Sequence, residues 1–289
     1  MKFGLMFANS GPFCQPELFA HMARTAEETG FESIWAVEHV VIPKDYQSPY
    51  PYSPSGKIPG PDEVPISDPL IALGYAAAVT TRLKLATGIL ILPQRHPLYV
   101  AKEIATLDLL SSGRAILGVG SGWLKEEFDA LGVDFASRGQ RTDEAIAAMR
   151  VLWREHSSTF HGACYNFGPL ASFPKPAQKN GVPIHIGGHS KAAARRAAAM
   201  GDGFFPAIPD PVKLTELFRL LRHECDRSGR NVAEIELSCL ASRSNLDVLK
   251  TYRDLGVSRV IFPPPALDKE GISRGLTQMA NELEKYRDI

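Results

Sequence analysis

The sequence between residues 112 and 123 reads Ser112-Gly113-Arg114-Ala115-Ile116-Leu117-Gly118-Val119-Gly120-Ser121-Gly122-Trp123. The apolar run from Ala115 to Val119 predicts a strand that is buried on both faces. The glycine turn that follows it lets the backbone come close to a ligand. An amphipathic helix is predicted next, with an apolar face and a charged outer face. The apolar face is formed by Leu124, Phe128 and Leu131, and the outer face by Lys125, Glu126 and Glu127.

The same order of strand, turn and helix recurs along the whole chain. Eight strands are predicted, each followed by a helix, so that the 289 residues give about 36 residues per unit. This spacing is typical of a closed parallel (β/α)8 barrel, although an open doubly wound sheet has the same element order. We therefore expect one α/β domain over residues 1–289. The predicted strands are 3–8, 33–37, 83–92, 115–119, 182–186, 204–207, 234–241 and 257–262.

The helices follow from apolar spacing, capping residues and glycine stops. Asp68-Pro69 is a typical start, and Gly30 and Gly256 are typical stops. Residues 161–179 show no period and are expected to be irregular. The predicted helices are 16–29, 68–79, 97–110, 124–131, 141–156, 191–200, 212–228, 245–255 and 272–286.

Charge and cysteine content exclude several classes of protein. Lys+Arg and Asp+Glu balance at 32 each, without a block of like charge, which argues against nucleic acid or an anionic membrane as a partner. The four cysteines form no CxxC pair, so neither a zinc knot nor a disulfide framework is indicated. No apolar run approaches the roughly 18 residues of a membrane span, and the N-terminus lacks a secretory signal. We expect a cytoplasmic protein.

A proline-rich segment interrupts the pattern after the second strand. Between Pro43 and Pro65 the prolines disfavour both helix and sheet, and Tyr46, Tyr50 and Tyr52 lie among them. Loops of this length without regular structure are usually lids or disordered segments. The three tyrosines favour a lid inserted after strand two.

Polar groups and glycines gather where predicted strands end. Strand two ends in Glu38-His39, a carboxylate next to an imidazole that can exchange protons near neutral pH. A glycine, Gly88, interrupts the β-branched third strand, which usually marks a bulge or a close approach. Arg95 beyond it can bind an anion or lie in solvent. The fifth strand ends in Gly187-Gly188-His189-Ser190, a capped helix start suited to phosphate.

Several catalytic motifs are missing from the sequence. It contains no GxxxxGK[ST] loop, no GxSxG elbow and no HExxH pair. Glu38, His39 and His189 do not make a defined ligand set, so we predict no metal site.

Taken in order, these segments resemble the bacterial luciferase-like superfamily of flavin and deazaflavin oxidoreductases. The chain is most similar to the subgroup of probable coenzyme F420-dependent oxidoreductases. The resemblance spans nearly the whole chain. It rests on residues 26–35 leading to Glu38-His39, on 87–93 with 95–97, and on 107–123, 138–144 and 183–190.

The resemblance implies a barrel that holds an isoalloxazine or deazaflavin ring at its mouth. It implies a non-proline cis peptide bond between Gly88 and Ile89 that presses on the ring. It also gives His39 the role of proton donor or acceptor, and we expect Glu38 to orient it. The cofactor, F420 or FMN, would contact Gly88, Ile89, Gly120, Ser121, Gly122, Gly187, Gly188, His189 and Ser190.

The expected function is transfer of hydride or reducing equivalents between F420 or FMN and a small organic substrate. Some related sugar-phosphate dehydrogenases carry a glutamate where this chain has Trp123, so an apolar or aromatic substrate face is expected, with Tyr50 and Tyr52 from the lid. The resemblance further implies a homodimer and, as a possible partner, a flavin or F420 reductase.

Two alternatives remain. A two-component FMNH2-dependent monooxygenase fits the same residues, and the cofactor decides between the two enzymes because deazaflavin does not activate oxygen. A non-catalytic flavin-binding protein is the alternative from another class, since a fold does not determine a function.

Overall fold

The computed structural model describes residues 1–60, 63–242 and 246–287. Its strands fall into one large parallel sheet and a separate two-stranded sheet. They are β1 (Lys2–Leu5), β2 (Ser33–Ala36), β3 (Lys84–Thr87), β4 (Leu90–Ile91), β5 (Ala115–Gly120), β6 (Ser158–His161), β7 (Asn166–Leu170), β8 (Ile184–Gly187), β9 (Gly203–Phe205), β10 (Glu236–Leu240) and β11 (Arg259–Phe262).

The large sheet closes on itself, which confirms the barrel. Its strand order is β3-β2-β1-β11-β10-β9-β8-β5-β4, and β3 also pairs with β5 through Leu85 with Ala115 and Ala86 with Ile116. β3 and β4 are consecutive pieces of one strand, so the described residues form eight barrel strands. The carboxyl ends of all parallel strands therefore lie at one rim, which we call the mouth.

Helices surround the barrel. They are α1 (Pro16–Glu28), α2 (Pro69–Val79), α3 (Pro97–Leu110), α4 (Lys125–Ala130), α5 (Arg138–Arg154), α6 (Lys191–Met200), α7 (Pro211–Ser228), α8 (Val248–Asp254) and α9 (Lys269–Leu283). The predicted cap of α2 is confirmed, because the Asp68 carboxylate accepts hydrogen bonds from the amides of Leu70 and Ile71 at 2.9 and 3.0 Å.

Two sequence predictions need correction. The third strand is not continuous over 83–92: the Gly88–Ile89 peptide bond is cis and separates β3 from β4. Residues 161–179 are not wholly irregular, since β6 and β7 form an antiparallel hairpin. Apolar spacing along the chain indicates neither the isomer of a peptide bond nor the antiparallel pairing of two strands. The predicted start of α8 at Asn245 lies outside the described residues.

The interior of the barrel is apolar below the mouth and charged at the opposite end. Below the mouth, Met6, Trp35, Ile116, Phe205 and Ile261 form an apolar cluster. The opposite end, the floor, carries charges that neutralise one another: Arg259 pairs with Glu32 at 2.9 Å and with Glu236, which also binds Lys2 at 2.6 Å. An apolar layer thus separates this ionic floor from the mouth.

Among the described residues, no helix is both long and apolar enough to cross a bilayer. The four cysteines are free thiols.

Candidate active site at the barrel mouth

Four strand ends converge at the mouth. Residues 37–39 follow β2, residues 88 and 89 join β3 to β4, residues 121–123 follow β5, and residues 188–190 follow β8. Closure of the barrel therefore places these four segments at one end of the sheet, on the side where barrel sites form. The roles we assigned to them remain proposals.

His39 is held by a carboxylate that the sequence analysis placed on the outside of a helix. Its Nδ1 lies 3.0 Å from Oε2 of Glu127, the third residue of α4. The Glu127 side chain is fully buried, and its other oxygen accepts from the amides of Val40 and Val41 at 2.7 and 3.2 Å. Because a carboxylate accepts, Nδ1 carries the hydrogen and Nε2 is left to exchange a proton.

Glu38 does not orient His39, and that prediction is wrong. Its Oε1 pairs with Arg95, with Nε at 2.8 Å, and its Oε2 accepts from the amide of Ile91. Glu38 and His39, although adjacent in sequence, therefore bind different partners. Burial raises the pKa of the Glu38 carboxyl, and the charge of Arg95 opposes that rise.

The Gly88–Ile89 segment fills the space that two neighbouring glycines leave. A Cβ on Gly120 would lie 2.6 Å from Cδ1 of Ile89, and a Cβ on Gly187 would overlap its Cγ2. These two glycines, which we had assigned to the cofactor, are therefore required by the Ile89 side chain. The cis bond itself is present as expected.

The turn after β5 is tied to α6. Arg196 donates to the Ser121 hydroxyl at 3.1 Å and to the carbonyl of Gly139 at 3.2 Å, and it pairs with Asp143. An arginine thus stands beside the predicted cofactor turn, although nothing in the local sequence connects residues 121 and 196.

The loop after β8 has the expected geometry of a helix start. Gly188 has a φ of +106°, which favours glycine, and the Ser190 hydroxyl accepts from the amide of Ala193 at 3.1 Å. His189 is half-buried, and its Nδ1 is buried without a hydrogen-bond partner in the described part of the chain. A buried unpaired nitrogen is costly, so this atom is a candidate ligand contact.

Aromatic rings from the loop after β2 contact residues of the mouth. The rings of Tyr46 and Tyr50 lie 5.6 and 5.1 Å from that of Trp123, in edge-on contact, and His39 contacts the same indole at 5.8 Å. Tyr52 contacts His189 at 4.8 Å. The loop therefore touches residues that follow two different strands.

Hydrogen bonds attach both ends and the middle of this loop to the rest of the protein. Asn9, which is fully buried, bonds Val37 and Ser67 through its carboxamide, at 2.8 and 2.5 Å to their carbonyls. Glu126 accepts from the amides of Gln47 and Ser48 at 2.7 and 3.1 Å. Pro61 and Asp62 lie outside the described residues.

Sequence reasoning missed Glu127 and Arg196 as members of this site, and it assigned Tyr46 to the lid without a substrate contact. For Glu127 a signal was present: two adjacent carboxylates in the first turn of a helix that follows a glycine turn. Helical spacing predicts an outward position for both, but the loop after β2 packs over α4 and both carboxylates accept hydrogen bonds from it. In the described residues, no three metal-ligating side chains come together in a possible metal site.

Comparison with known proteins gives a family match. The family model described as luciferase-like monooxygenase matches residues 9–244. An uncharacterized protein of Mycobacterium tuberculosis is 31% identical over 284 residues, covering 98% of this chain and 99% of the relative.

Two relatives carry functional names. An F420-dependent glucose-6-phosphate dehydrogenase of Kineococcus radiotolerans is 31% identical over 76% of this chain and 62% of the relative. An FMNH2-dependent dimethylsulfone monooxygenase of Pseudomonas putida is 32% identical over 64% of this chain and 47% of the relative. In structure, the coenzyme F420-dependent tetrahydromethanopterin reductase of Methanopyrus kandleri matches with a TM-score of 0.78 at 18% identity, over 99% of both chains.

Proposed function

The chain belongs to the luciferase-like monooxygenase family, whose members are oxidoreductases and monooxygenases dependent on F420 or FMN, and from this we propose that it transfers hydride or reducing equivalents between one of these cofactors and a small organic substrate. The observation that carries the proposal is that the His39–Glu127 pair and the cis Gly88–Ile89 bond both lie at the mouth. It combines a proton-exchanging group with a backbone shelf at the end where barrel sites form.

The residues present fit a planar heterocycle with an anionic side chain. The Gly88–Ile89 shelf offers an apolar surface, and the start of α6 offers helix amides with the positive end of the helix dipole. The unpaired Nδ1 of His189 adds a polar contact next to this helix start. We propose that Ser121, Gly122, Gly188, His189 and Ser190 bind the polar and anionic part of the cofactor, with Ser121 held in place by Arg196.

Bound F420 or FMN would supply the redox chemistry. His39 would give or take the accompanying proton through Nε2, and Glu127 would fix its tautomer and stabilise its protonated form. Trp123 and Tyr50 would contact an apolar or aromatic part of the substrate. The loop after β2 would exclude water, as its contacts with Trp123 and His189 indicate.

Titration of the purified protein with oxidised F420 and, separately, with FMN tests this proposal. We expect one of the two to bind with a Kd on the order of micromolar or tighter, followed by cofactor fluorescence or absorbance. Bovine serum albumin is the control for nonspecific binding. Binding of neither cofactor would contradict the proposal, and binding without turnover of any reduced cofactor would leave the non-catalytic flavin-binding alternative.

A two-component FMNH2-dependent monooxygenase is the second candidate, and the similarity to the Pseudomonas putida enzyme favours it. In that case FMN would bind more tightly in its reduced form, and a separate flavin reductase would supply it. Oxygen consumption in the presence of reduced FMN distinguishes this candidate from an F420-dependent dehydrogenase.

We further propose that the protein is a homodimer that pairs through α2 and α3. α2 contains no charged residue, although it lies on the outside of the barrel. Ile71 on α2 is 77% exposed, and Leu110 and Tyr99 on α3 are 75% and 72% exposed. Apolar side chains in this number on two neighbouring helices are typical of a protein interface.

A charge placed on this surface tests the dimer. Both subunits contribute residue 71 to a twofold interface, so Ile71→Glu introduces two charges there. We therefore expect the dimer dissociation constant to rise by about 100-fold or more. Sedimentation equilibrium measures this dissociation constant. Val212→Glu is the matched control, because Val212 is 69% exposed at the start of α7. A monomeric wild type, or equal effects of the two variants, would contradict this interface.

A further inference from the structure

Both ends of the cis bulge, which comprises residues 88–91, form hydrogen bonds with the short segment 36–38 at the carboxyl end of β2. The amide of Gly88, at the entrance of the bulge, donates to the carbonyl of Ala36 at 2.6 Å. The amide of Ile91, at its exit, donates to the carboxylate of Glu38. Ile89 lies between these two anchors, so its position in the mouth depends on both of them.

The carboxylate of Glu38 is itself fixed. Its side chain is only 1% exposed, and Arg95 pairs with it through two nitrogens, at 2.8 Å from Nε and 2.6 Å from the terminal Nη2. Arg95 also pairs with Asp68 at 2.5 Å, and Asp68 caps α2. A buried carboxylate with a paired arginine holds its orientation far better than an exposed one, because its charge is not screened by water.

The residues around Ile89 restrict the lateral position of its side chain. Gly120 and Gly187 accept its side chain, and the Thr87 hydroxyl before the bulge donates to the carbonyl of Gly118 at 2.6 Å. What the two glycines do not fix is how far the 88–91 segment rises into the mouth. That height depends on β4, which begins immediately after the bulge: Leu90 and Ile91 pair with Val119 and Gly120 of β5, and the Ile91 amide donates to Glu38.

We propose that Glu38 is a positioning residue of the redox site: through the amide of Ile91 it fixes the height of the Ile89 shelf against which the cofactor ring rests, and Arg95 holds it in place. This inference rests on the proposed function and assigns Glu38 to the shelf instead of to His39. It also explains why a glutamate stands next to His39 without contacting it.

The test compares Glu38→Gln with Glu32→Gln. Both glutamates flank β2 and both pair with an arginine, but Glu32 pairs with Arg259 at the floor, away from the bulge. Oε1 and Oε2 of Glu38 accept from Arg95 and from Ile91 respectively, whereas glutamine at position 38 would place an NH2 group, which only donates, at one of these two positions. In the cofactor-free protein, we expect exchange of the Ile91 amide with deuterium to accelerate at least tenfold in Glu38→Gln and to stay at the wild-type rate in Glu32→Gln.

With cofactor, Glu38→Gln is expected to weaken binding about tenfold and to shift the absorption spectrum of the bound ring, whereas Glu32→Gln changes neither. Arg95→Met, which leaves Glu38 in place but unpaired, should give a smaller change in the same direction and serves if Glu38→Gln does not fold. An unchanged Ile91 exchange rate overturns the inference, as does a faster exchange with unchanged affinity and spectrum. If the wild type binds neither cofactor, the proposed function fails, and the exchange rates alone decide whether Glu38 fixes the shelf.

Discussion

Replacement of His39 by alanine is expected to lower turnover by about 10²- to 10⁴-fold, which is the contribution of a well-placed general acid or base. Affinity for the cofactor should stay close to that of the wild type. His39 contacts Glu127 and the edge of Trp123, and we assign the cofactor to other residues of the mouth. The measurement is steady-state turnover beside cofactor titration, with the cofactor and substrate that the wild type uses.

Two further variants make this experiment specific. Glu127→Gln keeps an oxygen for the amides of Val40 and Val41 but cannot stabilise a protonated His39, so turnover should fall less than in His39→Ala and its pH profile should shift. His96→Ala is the matched control, because His96 also follows a barrel strand but caps α3 through Nδ1. Equal turnover of His39→Ala and wild type would refute the role of His39, and an equal loss in His96→Ala would mean that the effect is not specific to His39.

The second large effect is expected in the acid stability of the protein, and it comes from the barrel floor. His185 on β8 is 3% exposed, and burial, together with the charges of Arg259 and Lys2, lowers its pKa to about 3. Its Nε2 lies 3.9 Å from Glu236, but that carboxylate already serves Arg259 and Lys2. The imidazole is therefore neutral in the folded protein near neutral pH.

The direction of the pH dependence follows from this shift. In the unfolded chain the histidine has its ordinary pKa of 6.5, so below that pH the unfolded state binds the proton more readily than the folded state. The stability that neutral His185 provides is complete above pH 6.5 and is lost as the pH falls toward about 3. Between pH 7 and pH 4.5 the loss amounts to about 2 to 3 kcal/mol, since each pKa unit is worth about 1.4 kcal/mol.

Urea unfolding at several pH values measures this effect. We expect His185→Phe to lose less free energy of unfolding between pH 7 and pH 4.5 than the wild type, with the difference near the value above. Carboxylates such as Glu38 titrate in both proteins, so their contribution cancels in the comparison. Replacement of His161, which is exposed on β6, by asparagine should leave the wild-type slope. Parallel curves for His185→Phe and wild type would show that His185 does not titrate in this way.

Local sequence patterns predicted several helices and strands together with their bounds. The helix over 97–110 and the helix over 191–200 have the predicted bounds, because proline or a capping serine begins each one. The strand of residues 115–119 is confirmed as well, with Gly120 added at its end. In these segments propensity, caps and apolar spacing all indicate the same structure.

The bulge after β3 is a feature that local sequence patterns did not predict. Sequence reasoning predicted one strand over 83–92 and noted the glycine within it, but the cis bond followed only from the resemblance to a family. The glycines at 120 and 187 were assigned to a ligand, whereas Ile89 occupies the space beside them. A glycine at such a position indicates that another group approaches the backbone closely, and only the folded structure identifies that group.

The sequence by itself determined the number and order of the barrel strands and of the helices around them, the strand ends at which a site forms, and the presence of His39 among them, because these depend on residues within a few positions of one another. Tertiary structure decided the partners: Glu127 for His39 across 88 positions, and Ile91 and Arg95 for Glu38 across 53 and 57. The reason is geometric. Closing the barrel brings side chains from distant strands and loops within hydrogen-bond distance at the mouth, and no local period records which of them meet.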